Sequence, residues 1–323
     1  MFRITRVALV AGFVAVVLAW PFCSTSAFAQ QKPKLKPLHI ALANNSVTMT
    51  AIYVAKHLGI FESYGFDARV LVLEPRAGLA ALLAGELDFY TAIGSTARAA
   101  LRGLPVRVGL VALNRPDFSV VATKDIASFE QLRGRVIGAY TPQGTVNVVL
   151  HEMMRRRGFK LDDYKVVNAG TARAAALSGG AVQVAVLNSV ETVRMVKAGF
   201  HVLGRASDDL ELPQSGLGMS LGSMQSRRDF LRPGVQAVLD AIRVIVNQKD
   251  KTVAVLMKQL ALSQDEASYV YDAIRPGWAL DGRPTANAIK LDAELSQRDM
   301  GLKELPRVEQ TYDFSMLDEL TKK

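Results

Sequence analysis

Cysteine is nearly absent from this 323-residue chain, with Cys23 as its single instance. That residue precedes Ala27-Phe28-Ala29, and a chain cut after Ala29 has no disulfide, no thiolate metal site and no cysteine nucleophile. Histidine is also scarce. His39, His57, His151 and His201 are four in all, and no two stand at the i, i+3 to i+5 spacing of a helical zinc site. Aromatics reach only 7%, so the core must be built from Ala, Val, Leu and Ile. A basic face interleaved with stacking rings, which nucleic-acid binding asks for, is missing. So are the G-x-x-x-x-G-K-[ST] phosphate loop and a G-x-G-x-x-G between strand and helix. Past the first thirty residues no apolar run reaches the ~20 residues of a membrane span.

What is present is a globular composition, half hydrophobic and about a fifth charged. The net charge of +9 invites an acidic partner, but its distribution argues otherwise. Arg3, Arg6, Lys32, Lys34 and Lys36 lie in residues 1–37, which hold no acidic side chain, and only +4 remains beyond Pro37. Met1–Arg6 is basic, Val7–Trp20 is apolar, and Ala27-Phe28-Ala29 closes a polar stretch before Gln30. This is the order of a secretory signal peptide, expected to be cut near Ala29 and to send the product to the periplasm. Pro21-Phe22 before Cys23 disfavours a lipid anchor. Gln30–Pro37 (QKPKLKP at its end) reads as a flexible leader.

Strand-like and helix-like segments then alternate. Leu38–Ala43 predicts a strand, and Ala51, Val54, Ala55 and Leu58 fall at the i, i+3, i+4, i+7 spacing of a helix with Gly59 as its stop. Phe66–Leu73, Leu87–Ile93 and Val106–Leu113 read as further strands, and the same beat continues through Phe118–Thr123, Arg135–Ala139, Tyr164–Asn168, Ala181–Leu187 and Phe200–Leu203. From about Ser226 the pattern is purely helical, led by Val235, Val238, Leu239, Ile242 and Ile245. Alternation of this kind implies sheets covered by helices on both sides. The expected organisation is two α/β lobes: residues 38–113 and 218–323 in lobe one, and 117–214 in lobe two. The breaks at Asn114–Pro116 and Pro213–Gly218 would be the two crossings of the hinge.

One string imitates a catalytic motif. Gly218-Met219-Ser220-Leu221-Gly222 matches the G-x-S-x-G nucleophile elbow, which needs an acid and then a histidine later in the chain. No histidine follows His201, so a serine hydrolase is excluded and no catalytic residue is assigned. Polar clusters at the ends of expected strands are more informative. They include Asn44-Asn45-Ser46, Glu74-Pro75-Arg76, Gly94-Ser95-Thr96, Gln143-Gly144-Thr145, Asn168-Ala169-Gly170 and Asn188-Ser189. Ligands of open α/β sheets bind at the carboxyl ends of strands, and helix N-termini there favour anionic groups. Each cluster alone is explained as caps and turns; recurrence on both lobes points to a cleft.

The residues also resemble a family. Ala51–Val72 (AIYVAKHLGIFESYGFDARVLV), Ala77–Phe89 (AGLAALLAGELDF) and Ser128–Ala139 (SFEQLRGRVIGA) are similar, in order and spacing, to nitrate/sulfonate/taurine-type substrate-binding proteins of ABC importers. The stretch around Arg275-Pro276-Gly277-Trp278 resembles their helical tail. The resemblance implies a type II periplasmic-binding-protein fold whose lobes close on a small solute, and a membrane permease as partner. It places solute contacts at Asn44, Asn45, Ser46, Gly94, Ser95, Thr96, Gln143, Gly144 and Thr145, with Arg76 and Asn188 as looser candidates. The solute is expected to be small and sulfonate-, nitrate- or carboxylate-like, with Arg76 and Arg115 as possible sources of charge. The cysteine-rich motif of the thiamine-precursor branch is missing. A monomer without cofactor, metal or nucleic acid is expected. The alternatives are an enzyme of the same fold (a pyrimidine-precursor synthase or lyase) and a soluble sensor.

Overall fold

The computed structural model describes residues 34–140 and 145–321. The expected signal peptide, most of the leader, and Gln143 and Gly144 lie outside the described residues. The chain opens with β1 (Lys36–Leu42), α1 (Thr50–His57), α2 (Ile60–Ser63), β2 (Phe66–Val72), α3 (Pro75–Leu83), β3 (Phe89–Tyr90), α4 (Ile93–Leu101) and β4 (Val106–Leu113). It then crosses to β5 (Ser119–Ala122), β6 (Val136–Ala139), α5 (Thr145–Arg156), β7 (Lys165–Asn168), α6 (Arg173–Ser178), β8 (Val184–Leu187), α7 (Ser189–Lys197), β9 (His201–Arg205) and α8 (Ala206–Asp209). It returns as β10 (Ser215–Ser220) and finishes in α9 (Leu221–Ser226), α10 (Arg228–Asn247), α11 (Lys249–Leu260), α12 (Gln264–Ile274), α13 (Ala286–Met300), α14 (Val308–Thr311) and α15 (Ser315–Thr321).

Two five-stranded sheets result, in the orders β2-β1-β3-β10-β4 and β7-β6-β8-β5-β9. Strands β1, β2 and β3 are mutually parallel, as are β6, β7 and β8, while β10 and β5 run antiparallel to their neighbours. The continuous apolar runs of β1, β4 and β8 follow from burial on both faces. Over the first sheet, Val235, Val238, Leu239, Ile242 and Ile245 form the buried stripe of α10, as their spacing predicts. Gly59 and Gly158 end their helices at φ +70° and +77°, where a side chain is disfavoured. No helix among the described residues is long and apolar enough to cross a membrane.

Three expectations need correction. The leader was expected to run to Pro37, but Lys36 and Pro37 already pair with Phe66 and Asp67 of β2. At that point β1 has no partner on its β3 side, so the N–H that proline lacks is not missed. The strand expected at Leu87–Ile93 shrinks to Phe89–Tyr90, because the chain turns at once into α4, with the Ile93 N–H donating to the Thr91 carbonyl at 2.9 Å. Finally, the chain beyond residue 218 does not pack on the first sheet alone. Leu291 and Leu295 of α13 join the core that holds Val149 and Met153 of α5 under the second sheet.

The connections decide where a site can form. Strand β4 leaves the first sheet at its carboxyl edge, and β5 enters the second at Ser119, opposite Leu187 at the carboxyl end of β8. On the return, the Leu212 and Gln214 N–H groups donate to the Asn114 and Leu113 carbonyls at 2.7 and 2.8 Å. A third segment joins these two: the Asn114 N–H donates to Gly277 O and the Asn114 side chain to Arg283 O, just before α13 departs for the second core. The carboxyl edges of both sheets therefore flank one set of crossings.

Candidate functional site

Register shows which loops share an edge. Leu42 lies opposite Val72 and Ala41 opposite Tyr90, so the loops after β1, β2 and β3 emerge side by side. Ala139 lies opposite Asn168 and Gly138 opposite Ala185, which brings together the loops after β6, β7 and β8. The predicted residues thus fall into two groups. Asn44, Asn45, Ser46, Arg76, Gly94 and Ser95 belong to the first edge, and Thr145 and Asn188 to the second.

On the first edge several polar groups are occupied by the protein itself. Asn45 Oδ1 accepts from the Tyr53 hydroxyl at 2.7 Å and from Gln259 Nε2 of α11 at 3.2 Å. Burial of Tyr53 holds its hydroxyl far above the usual range, so it stays a donor. Ser46 Oγ is 2.9 Å from Thr48 Oγ1. Thr91, which the sequence reading passed over, ties β1 to β3: its Oγ1 accepts from Ala43 N–H at 2.9 Å. Asn44 is exposed, and Arg76 is exposed at the start of α3. Thr96 does not reach the cleft. It is fully buried, its hydroxyl donates to the Ala92 carbonyl, and it packs where β10 has Gly218. Gly94 and Ser95 sit in the first turn of α4, and their N–H groups have no partner among the described residues. A helix start of this kind is suited to an anionic group.

The second edge carries charge. Asn188 caps α7 through a reciprocal pair: its side chain accepts from Glu191 N–H, and Glu191 accepts from Asn188 N–H. Glu191 in turn holds Arg173 at 3.0 Å. Arg173 is only 6% exposed, its Nε has no partner among the described residues, and its guanidinium lies 5.3 Å from the centre of the Tyr140 ring. Tyr140 is pinned by its N–H to Asn147 Oδ1, immediately before the loop to α5. The sequence reading missed Arg173, although one signal was available. As the first residue of α6 it places a cation where the helix dipole disfavours one, which demands a compensating carboxylate.

Between the edges stands Asp117. Its carboxylate accepts from Ser189 N–H at 3.3 Å and Ser189 Oγ at 3.2 Å, and no cation pairs with it among the described residues. Burial pushes its carboxyl up to about 7; the Ser189 hydrogen bonds oppose this and the Glu191 charge adds to it. Arg115, the other charge considered, is engaged by Glu211 at 3.5 Å and by Ser207 O. The G-x-S-x-G string is disposed of by topology. Ser220 pairs with Val106 at the opposite edge of the first sheet and caps α9 by accepting from Ser223 N–H. No cluster of three or more His, Cys, Asp or Glu side chains fit for a metal occurs among the described residues.

Comparison with known proteins agrees with this architecture. No curated protein matches by sequence. Among solved structures, the periplasmic aliphatic sulphonate binding protein SsuA from Escherichia coli superposes with a TM-score of 0.71 at 15% identity, over 88% of this chain and 99% of that one. The alkanesulfonate-binding protein SsuA from Xanthomonas axonopodis pv. citri, bound to MOPS, gives 0.63 at 14% over 84% and 95%. The periplasmic nitrate-binding protein NrtA from Synechocystis gives 0.66 at 12% over 90% and 89%. These likenesses show the two-lobed periplasmic-binding-protein fold. The model of the family described as NMT1/THI5 like matches residues 46–252, the greater part of the chain, and the chain belongs to that family.

Proposed function

We propose that this protein is a periplasmic solute-binding component of an ABC importer, which captures a small anionic solute between its lobes and passes it to a membrane permease. The observation that carries the reading is the pairing of two unlike edges across one set of crossings. The first offers the Gly94 and Ser95 N–H groups, which have no partner among the described residues, and the second the buried Arg173, whose charge is shared with Glu191. Neutral donors and one cation suit a sulfonate, nitrate or carboxylate. Asn44, Asn45, Ser46, Gln143, Gly144, Thr145 and Asn188 would complete the wall. The sulfonate- and nitrate-binding proteins on the same fold support this class, as does the signal-like N-terminus for the location. Solute stabilises closure only through contacts made better in the closed arrangement.

The test is a thermal-shift screen of the chain from Gln30 against sulfonates, nitrate, carboxylates and aromatic acids. A solute at 100 times its dissociation constant adds about 2.7 kcal/mol of stability. A clear shift with the compound recovered unchanged supports a carrier. Recovery of an altered compound overturns it in favour of an enzyme, and neutral solutes alone raising the melting temperature overturn the anionic class.

A further inference from the structure

An anionic solute asks for a counter-charge, and several arginines near the crossings are already engaged. Arg173 pairs with Glu191. Arg115 and Arg283 line a cavity of about 230 Å³ together with Asn114, Glu211 and Trp278, and they pair with Glu211 and Asp318. Each of these pairs has no net charge while it is intact. Arg205 turns onto Tyr269, donating to its hydroxyl at 3.1 Å.

Arg98 of α4 is placed differently. Ile93, Thr96, Ala97, Ala99 and Ala100 are the buried side of that nine-residue helix, and Gly94, Ser95 and Arg98 share the other. Long side chains on a helix lean towards its N-terminus. Arg98 does so: its Nη1 and Nη2 stand 3.5 and 3.6 Å from where a Cβ of Gly94 would be. The guanidinium therefore lies along the first turn of α4, whose Gly94 and Ser95 N–H groups have no partner among the described residues. It does not lie at the last carbonyls, where a cation would offset the helix dipole.

Arg98 is half-buried, and it makes no hydrogen bond or ion pair among the described residues. One carboxylate feels its charge. Burial raises the Asp292 carboxyl of α13 and Arg98 opposes the rise, but Asp292 takes its hydrogen bond from the Tyr312 hydroxyl at 2.6 Å. Five guanidinium donors are thus left to water or a solute, partly sheltered from the screening that weakens a surface charge.

We infer that Arg98 is the charge-selecting residue of the solute site: an anion seated at the start of α4 takes the Gly94 and Ser95 N–H groups along the helix axis and the Arg98 fork from the side. This rests on the anionic solute proposed for that site. An arginine fork meets two oxygens of one oxyanion, which the ammonium of lysine does not.

The test uses the chain from Gln30, with methanesulfonate, nitrate and acetate as anionic probes and methanesulfonamide and acetamide as neutral ones, measured by calorimetry. The parent is expected to bind an anionic probe at least tenfold more tightly than either neutral one. Arg98→Gln should weaken that anion tenfold or more and abolish the preference for charge. Arg98→Lys should keep the preference with an affinity about threefold lower. The melting temperature without solute should stay that of the parent in both variants, because Arg98 bonds to nothing else in the protein. Parent-like anion affinity in Arg98→Gln overturns the role of Arg98 alone, and so does Arg98→Lys binding as poorly as Arg98→Gln. A melting temperature that falls together with affinity marks a packing role and overturns it too. A parent that binds none of the three anions overturns the anionic reading of the site, and this inference with it.

Discussion

In the first lobe, polar side chains at the carboxyl edge are engaged by the lobe's own packing. Asn45 is held by Tyr53 and Gln259, Thr91 ties two strands, and Thr96 lies beneath Gly218. In the second lobe, the corresponding edge is a charged chain running Asn188–Glu191–Arg173, with Tyr140 against the guanidinium. The first lobe also has the larger core, covered by α10, α11 and α12, while the second borrows Leu291 and Leu295 from the C-terminal tail. One lobe therefore acts as a set platform offering backbone N–H groups. The other carries a buried ion pair, and its geometry rests on a few side-chain pairs.

This contrast can be broken at several points. The largest effect is expected from Gly216→Ala in β10, where a Cβ would overlap the Leu110 carbonyl of β4, a backbone atom that cannot move alone. Loss of about 3 kcal/mol or more in chemical denaturation is expected. Gly138→Ala in β6, 3.2 Å from a Val182 methyl, should cost well under half as much. Equal costs would abolish the distinction between a rigid first sheet and a yielding second.

Arg173→Gln removes the cation from Glu191 and should cost about 2–3 kcal/mol while weakening an anionic solute at least tenfold. Unchanged solute affinity, measured by calorimetry, would return that role to the first lobe. A smaller effect belongs to Asp117. Its carboxyl titrates near 7 in the folded protein against 3.8 when free, so between those values the folded state keeps a proton that the unfolded state has lost. Stability is therefore highest below about pH 4 as far as this group is concerned, and falls as pH rises to 7. Asp117→Asn should flatten that part of the melting-temperature profile, and an unchanged slope would refute the assignment. The smallest change is expected from Ser95→Ala, which leaves the backbone N–H in place. Threefold or less in solute affinity is expected there, and a tenfold loss would mean that the hydroxyl, not the helix start, does the binding.

The sequence made much of this legible because periodicity and burial coincide. The i, i+3, i+4 stripe of α10 and the apolar runs of β4 and β8 are buried where they were expected. The polar clusters that end the strands were legible too, since they are a local feature. Which members face the cleft was not. Thr96 and Ser95 are neighbours in one helical turn, yet only the helix's rotation against β10 buries Thr96. Arg173 was overlooked because its partner Glu191 is eighteen residues away, on the next helix.

The sequence by itself determined the succession of strands and helices and the family resemblance, both of which depend on residues close together in the chain. Only the tertiary structure decided that Leu291 and Leu295 leave the first lobe for the second, and that Arg173 finds its carboxylate. It alone gathered Asn114, Glu211 and Trp278 around one cavity. The reason is physical: periodicity records which side of an element is buried, but not which distant element buries it.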